Sequence, residues 1–213
     1  MPSSTTFKYE TKRKNLYLRV ARGHFATVNC HSNYYIDVIA QKARMSEANA
    51  VAEELRSYFY QNTVVDTILC LDGTEVIGAC LAEQLTKAEF VNLNAHKSMY
   101  VVSPEFASGG QLLFRDNITP MITGKHVLIL AVSVSSGKTV SAAIDAVKYY
   151  GGFVSGVAAI FSTAEEVNGI KVHSAFDPND LPDYNNYPAH DCPLCKAGVK
   201  LDALINSYGF SKL

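Results

Sequence analysis

Apolar positions change their spacing twice along the chain, and the changes divide it into three parts. Over residues 15–38, NLYLRVARGHFATVNCHSNYYIDV is rich in β-branched and aromatic residues, interrupted at Gly23 and again over 29–33. That pattern predicts short antiparallel strands forming a hood over residues 1–44. Ser46 then offers a helix N-cap, and Ala50, Val51, Leu55, Tyr58 and Phe59 recur at helical spacing through EANAVAEELRSYFY.

Beyond that helix, strand and helix alternate: VVDTILCL, EVIGACLAEQL, AEFVNLN, HVLILAV, TVSAAIDAVKYY and FVSGVAAIF. The strand runs are short and continuously apolar, as a parallel sheet covered on both faces requires. The expected class is α/β: a Rossmann-like, mostly parallel sheet flanked by helices over residues 45–176, with IKVHSAF as an edge strand. Four of the seven prolines follow Asp177. They predict an irregular tail over 177–213 ending in a short helix, VKLDALINSYG, with the whole chain forming one structural domain. Ligands of such sheets sit at the carboxyl ends of the strands. The loops at 72–75, 95–110 and 132–138 therefore carry the interest.

Composition narrows the partners. With 213 residues, 48% of them hydrophobic, the chain can bury a sizeable core. A net charge of −1, from 19 basic and 20 acidic residues, provides no global field for nucleic acid or an anionic membrane. No apolar run has the length of a membrane span, and the start MPSSTTFKYETKRK lacks the apolar core of a signal peptide, so a soluble cytoplasmic protein is expected. Ser211-Lys212-Leu213 spells a peroxisomal address only if the source is a eukaryote; coincidence is the expectation. Cys70 and Cys80 lie in apolar runs and read as core. Cys192 and Cys195, with His190 just upstream, form half of a zinc site, but no second pair of ligands is apparent. A packed C-terminal turn without metal is the expectation there.

The most informative segment is HVLILAVSVSSGKTVSAAIDAVKYYGG. A buried strand runs into Ser133, Val134, Ser135, Ser136, Gly137, Lys138 and Thr139 and then directly into a helix. Hydroxyls, a glycine and backbone N–H groups at a helix N-terminus suit a phosphate. The nucleotide P-loop needs a glycine five residues before Gly137, and Val132 stands there, so that motif is rejected. A serine-rich helix cap without ligand is the plainer alternative.

This loop, with Val134 to Thr139 as its matching part, resembles the phosphoribosyl pyrophosphate motif of the type I phosphoribosyltransferases. HSNYYIDV at 31–38 and GVAAIF at 156–161 resemble the hood strand and base-pocket strand of the orotate branch. The resemblance spans about residues 16–176. It implies a pyrophosphate loop at Asp72, Gly73, Thr74 and Glu75. It implies catalytic bases at His96 and Lys97, and a base pocket near Tyr34, Tyr35 and Ser162. It also implies Mg²⁺ as cofactor, phosphoribosyl pyrophosphate or a nucleotide as ligand, and a homodimer. Two acidic positions of the motif read Ala131 and Val132. No Lys, Arg or His occurs between Ser98 and Phe114, and Ser162-Thr163-Ala164 stands where an arginine for orotate is expected. Arg19 or Arg22 could substitute for a missing hood lysine, and Asp116 or Glu75 for the missing acids.

Three functions follow. One is a transferase that moves ribose 5-phosphate from phosphoribosyl pyrophosphate to a nitrogenous base. Another is an inactive sensor that binds the same ligands, and the last is a purely structural interaction protein, which leaves the serine loop unexplained.

Overall fold

The computed structural model describes residues 7–10, 16–89, 91–95, 97–107 and 110–213. Three strands come first, β1 (Phe7–Glu10), β2 (Tyr17–Ala26) and β3 (Cys30–Asp37), followed by helices α1 (Ile39–Ala43) and α2 (Met45–Phe59). Then come β4 (Thr67–Cys70), α3 (Glu75–Thr86), β5 (Tyr100–Val102) and the short pair β6 (Glu105–Phe106) and β7 (Leu112–Leu113). The middle of the chain continues with β8 (His126–Val134), α4 (Lys138–Tyr149), β9 (Phe153–Ser162), β10 (Glu166–Val167) and β11 (Ile170–Phe176). The C-terminal stretch adds β12 (Asn186–Pro188), α5 (Pro193–Lys196), β13 (Ala203–Asn206) and β14 (Gly209–Lys212). Among the described residues no helix is long and apolar enough to cross a membrane.

Two compact units result. Residues 41–176 form one; residues 1–40 and 177–213 together form the other. Residues from 177 onward thus group with the hood strands.

The larger unit is built on a sheet of order β10-β11-β9-β8-β4-β5, parallel throughout except for the β10–β11 hairpin. Its central strands are buried on both faces, which explains their unbroken apolar runs. The pleat sends alternate residues to opposite helices. Val127, Ile129 and Ala131 join the cluster containing Val140, Ala143, Ile144 and Val147 of α4. Leu128 lies on the other side. A Cβ placed on Gly156 would sit 2.9 Å from the Phe59 ring of α2 and 3.4 Å from Leu128, so the helix approaches the strand to a distance that only glycine permits.

A hydrogen-bonded aspartate–histidine contact closes the amino-terminal edge of this sheet. Asp66, just before β4, accepts hydrogen bonds from the backbone N–H and the Nδ1 of His126, both at 2.9 Å. Burial pushes its carboxyl up, but the His126 bonds and charge, with Lys97 adding, outweigh that and hold it below the ordinary range. Its contribution to stability is therefore present above the ordinary carboxylate pKa and lost as pH falls through the lowered one. Asp66→Asn should cost about 1 kcal/mol near neutrality. In urea titrations the difference from the parent should shrink toward acid pH; a pH-independent difference would rule out this account.

Two expected elements are corrected. Among the described residues of 88–94 there is no strand: Asn92 Nδ2 donates to the carbonyls of Leu85 (2.7 Å) and Lys87 (2.8 Å), and Asn94 Oδ1 accepts from Val65 N–H (3.0 Å). Buried asparagines that serve backbone groups in this way hold a turn. The sheet strand is β5, paired Thr67↔Tyr100 with β4. The expected C-terminal helix is instead the β13–β14 hairpin, in which Asn206 Oδ1 accepts from Tyr208 N–H at 2.9 Å in the turn.

The smaller unit joins the two ends of the chain in one sheet of order β12-β3-β2-β13-β14, with β1 also on β2. β2 and β3 are antiparallel, with a register shift between Arg22 and Phe25. Phe25, Tyr35, Ala21 and Ala203 form one buried cluster in it, and Leu18 and Val20 are buried as well.

Candidate functional site

The loops at the carboxyl ends of β4, β5, β8 and β9 are formed by residues of the larger unit. After β8, Val134 is buried while Ser135, Ser136, Lys138 and Thr139 are exposed. Gly137 takes φ +71° and caps α4, with no side chain capping the helix. The first-turn N–H groups of a helix lack intrahelical acceptors, and here the serines and Lys138 surround them. These residues line a cleft of about 540 Å³ with Ser141, Asp145 and the β10–β11 turn, where Asn168 Nδ2 donates to Ser141 Oγ at 2.9 Å. A glycine Cβ at 137 would lie 2.9 Å from Val167, so this hairpin packs directly on the loop. Ser133 is exposed one residue earlier. Ala131 and Val132 are 1% and 3% exposed.

The β4–α3 loop is held from two sides. Thr74 is fully buried, and its Oγ1 donates to the carbonyls of Leu71 (2.9 Å) and Leu130 (3.1 Å), tying the loop to β8. Asp72 (φ 56°) and Gly73 (φ 80°) make the left-handed turn. Lys42 of α1, which the sequence did not single out, donates from Nζ to the Asp72 carbonyl at 2.6 Å. Burial lowers the pKa of this lysine, and the nearby Asp72 and Glu75 carboxylates oppose the shift. Glu75 in turn accepts from Ser103 Oγ at 2.6 Å, joining α3 to the end of β5. A lysine on a short helix thirty residues before the loop leaves no local signal.

Of the expected catalytic pair, Lys97 is not brought to these loops. His96 lies outside the described residues. Lys97 precedes β5, close enough to Asp66 to lower its pKa, so it stands at the amino-terminal edge of the sheet, opposite the loops. The displacement follows from β5 lying at 100–102 rather than 88–94. The residues that do leave β5 toward the site are Ser103, Pro104 and Glu105. Glu105 binds Arg115 through two bonds of 2.6 and 2.7 Å, so the first arginine after the segment is already paired. Asp116 is exposed beside Arg115, and its charge helps to raise the arginine's pKa, after the Glu105 bonds and charge.

The side chains expected at the base pocket are packed and hydrogen-bonded within the fold. Tyr34 is 2% exposed; its hydroxyl donates to the Pro182 carbonyl at 2.7 Å and accepts from Arg22 Nε at 2.6 Å, and its ring stacks on Tyr184. Tyr35 packs on Phe25 and Phe210, with burial and then Asp37 pushing its hydroxyl up to about 12. Both rings are consumed by packing within the smaller unit. Ser162 is buried, donates to the carbonyls of Val134 (3.2 Å) and Ala164 (2.7 Å), and accepts from Ala164 N–H. It ties the β9 exit to the phosphate-loop strand.

For the Mg²⁺ expected from the resemblance, the carboxylates in the β4–α3 loop are those of Asp72 and Glu75. The two motif acids are replaced by buried Ala131 and Val132, and Lys42 already places a positive charge against Asp72 and Glu75. Among the described residues, the cluster of metal-ligating side chains lies elsewhere, at His24, His31, Cys192 and Cys195.

Comparison with known proteins agrees with this architecture. No protein-family model matches the chain. An orotate phosphoribosyltransferase of Chlorobaculum parvum is 25% identical over 184 residues, covering 85% of this chain and 86% of that protein. The structure of orotate phosphoribosyltransferase from Aeropyrum pernix matches with a TM-score of 0.55 at 17% identity, over 84% of this chain and 92% of the other. The Mycobacterium tuberculosis H37Rv orotate phosphoribosyltransferase in complex with 5-phospho-α-D-ribosyl 1-diphosphate matches with a TM-score of 0.52 at 16% identity, over 70% and 83%. The chain has the type I phosphoribosyltransferase fold, an α/β sheet flanked by helices. In sequence it is similar, at 25% identity, to orotate phosphoribosyltransferases.

Proposed function

We propose that the protein is a phosphoribosyltransferase of nucleotide metabolism that binds phosphoribosyl pyrophosphate with its 5-phosphate on the β8–α4 loop. The observation that carries this is the exposed Ser135–Ser136–Gly137 turn, which opens onto an α4 N-terminus capped by no side chain. Such a terminus favours a phosphate through both its N–H groups and its dipole. In the transfer, a ring nitrogen of the base forms a bond to the anomeric carbon while the bond from that carbon to the pyrophosphate oxygen breaks. The β4–α3 loop, braced by Thr74 and Lys42, is the candidate for receiving pyrophosphate. A homodimer and a cytoplasmic setting belong to the same proposal.

A second reading, a binder that does not turn its ligand over, is favoured by one specific observation. The motif's acidic positions are buried Ala131 and Val132, which leaves little charge to support an oxocarbenium-like state.

Calorimetric titration with phosphoribosyl pyrophosphate, with and without Mg²⁺, tests the shared part. A pyrophosphate-release assay across orotate, uracil and purine bases separates the two. Binding with release is the expected result, and the base that supports it identifies the substrate. Binding without release under every base selects the sensor, and no binding overturns both readings.

A further inference from the structure

The smaller unit contains four convergent ligand atoms from three separate stretches of chain. His24 is on β2, His31 is the second residue of β3, opposite Ala26, Cys192 caps α5 and Cys195 lies within it. His24 Nε2 lies 3.1 Å from His31 Nδ1, 3.5 Å from Cys192 Sγ and 3.7 Å from Cys195 Sγ; His31 Nδ1 lies 3.3 Å from Cys195 Sγ. All four atoms fall within 4.8 Å of one another.

From these distances we propose that His24, His31, Cys192 and Cys195 bind a structural Zn²⁺ ion. A tetrahedral zinc with ordinary bonds to nitrogen and sulfur holds its ligands about 3.3 Å apart for two nitrogens and about 3.6 Å for nitrogen and sulfur. The observed 3.1 Å, and 3.3, 3.5 and 3.7 Å, fall close to both values. Two thiolates and two neutral imidazoles cancel the ion's charge, and the mixed sulfur and nitrogen set selects zinc over oxygen-preferring cations.

The surroundings fit a metal ligand sphere. His24 Nδ1 is 2.9 Å from the Val199 carbonyl. Donation to that carbonyl places the proton on Nδ1 and turns the Nε2 lone pair toward the other three atoms, the outer bond that ligating histidines ordinarily make. His24 is held further through its backbone: its N–H donates to Asp202 Oδ2 at 2.8 Å, and its carbonyl accepts from Asp202 N–H at 2.8 Å. The register shift in β2 between Arg22 and Phe25 falls at His24. On the other side, Cys192-Pro193-Leu194-Cys195 is wound into one turn by the Lys196 N–H to Cys192 carbonyl bond, and Gly198 at φ +73° leaves it. β12 pairs Tyr187 with His31, which delivers the cysteines to that histidine.

Four protein ligands leave no open position, so the ion is structural rather than catalytic. It clips residues 189–198 to the β2–β3 hairpin. The inference is independent of phosphate binding by the larger unit.

The test uses the full chain purified without chelator. Elemental analysis should find about one zinc per chain, and X-ray absorption at the zinc edge should show two sulfur and two nitrogen neighbours. Cobalt exchanged into the protein should show thiolate charge-transfer bands and the intense visible absorption of a tetrahedral site. Cys195→Ala and His31→Ala should lose most of the metal. Cys30→Ser, which removes a nearby thiol occupied with Thr27, should keep it. Strong chelation should lower the unfolding temperature of the parent and leave that of Cys195→Ala unchanged. A chain that takes up neither zinc nor cobalt overturns the proposal. So does a first shell without sulfur, a Cys192–Cys195 disulfide in the fresh protein, or equal metal loss in Cys30→Ser. The absorption measurement is made on the parent, so the proposal stays testable even where a ligand variant fails to fold.

Discussion

Phe59→Ala is expected to lower the unfolding free energy of the larger unit by about 3–5 kcal/mol, the range for truncating a buried phenylalanine. Phe59 ends α2 at 2% exposure. Its ring is pressed onto Gly156 of β9 and meets the His173 ring edge-to-face at 5.3 Å. Because glycine at 156 gives no side chain, nothing on the strand can move in to refill the space. The cost therefore includes both lost burial and the residual cavity. Urea unfolding should show a lower midpoint with an unchanged slope. A loss below about 1 kcal/mol would mean that the helix relaxes onto the strand, contrary to the close packing described above.

The second large effect concerns ligand binding. Gly137→Val should reduce affinity for phosphoribosyl pyrophosphate by about 10–100-fold, the equivalent of losing one or two hydrogen bonds to a charged group. Gly137 sits at φ +71°, where a β-branched residue is strained, and its new Cβ would lie 2.9 Å from Val167. Both the turn and the β10–β11 hairpin would have to shift. The N–H groups that open α4 would then no longer converge. Calorimetry alongside thermal unfolding checks this. Unchanged affinity in a folded variant would remove the β8–α4 loop as the phosphate site. Reduced affinity with unaltered stability would be its strongest support.

If the loop binds phosphoribosyl pyrophosphate, the remaining charges near the sheet's carboxyl edge decide between transfer and sensing. Lys42 is the cation already aimed at the β4–α3 loop, and Arg115 is paired with Glu105. With Ala131 and Val132 buried in β8, an active enzyme of this kind would rely on positioning and on charges supplied by its ligand rather than on the motif acids.

The α/β core was legible in the sequence because its causes are local. Strands buried on both faces must be continuously apolar, as β4, β8 and β9 are. A helix against such a sheet must repeat its apolar residues at helical spacing, as α2 and α4 do. The β8–α4 turn was legible for the same reason, since strand, turn and helix are contiguous.

What the tertiary structure decided depends on partners distant in the chain. The run at 88–94 has strand-like composition, but Asn92 and Asn94 satisfy backbone groups and leave pairing with β4 to Tyr100–Val102. That shift alone carries Lys97 to the wrong edge of the sheet. The C-terminal segment is a local β13–β14 hairpin, but its place in the sheet is set by β13 lying beside β2, nearly 180 residues earlier. Lys42 reaches the β4–α3 loop across 30 residues. The cysteines at 192 and 195 look like half a site in sequence, since loop closure across 168 and 164 residues is needed to bring His24 and His31 to them. Spacing along a chain reports ligands that are near in sequence; only folding brings together those that are not.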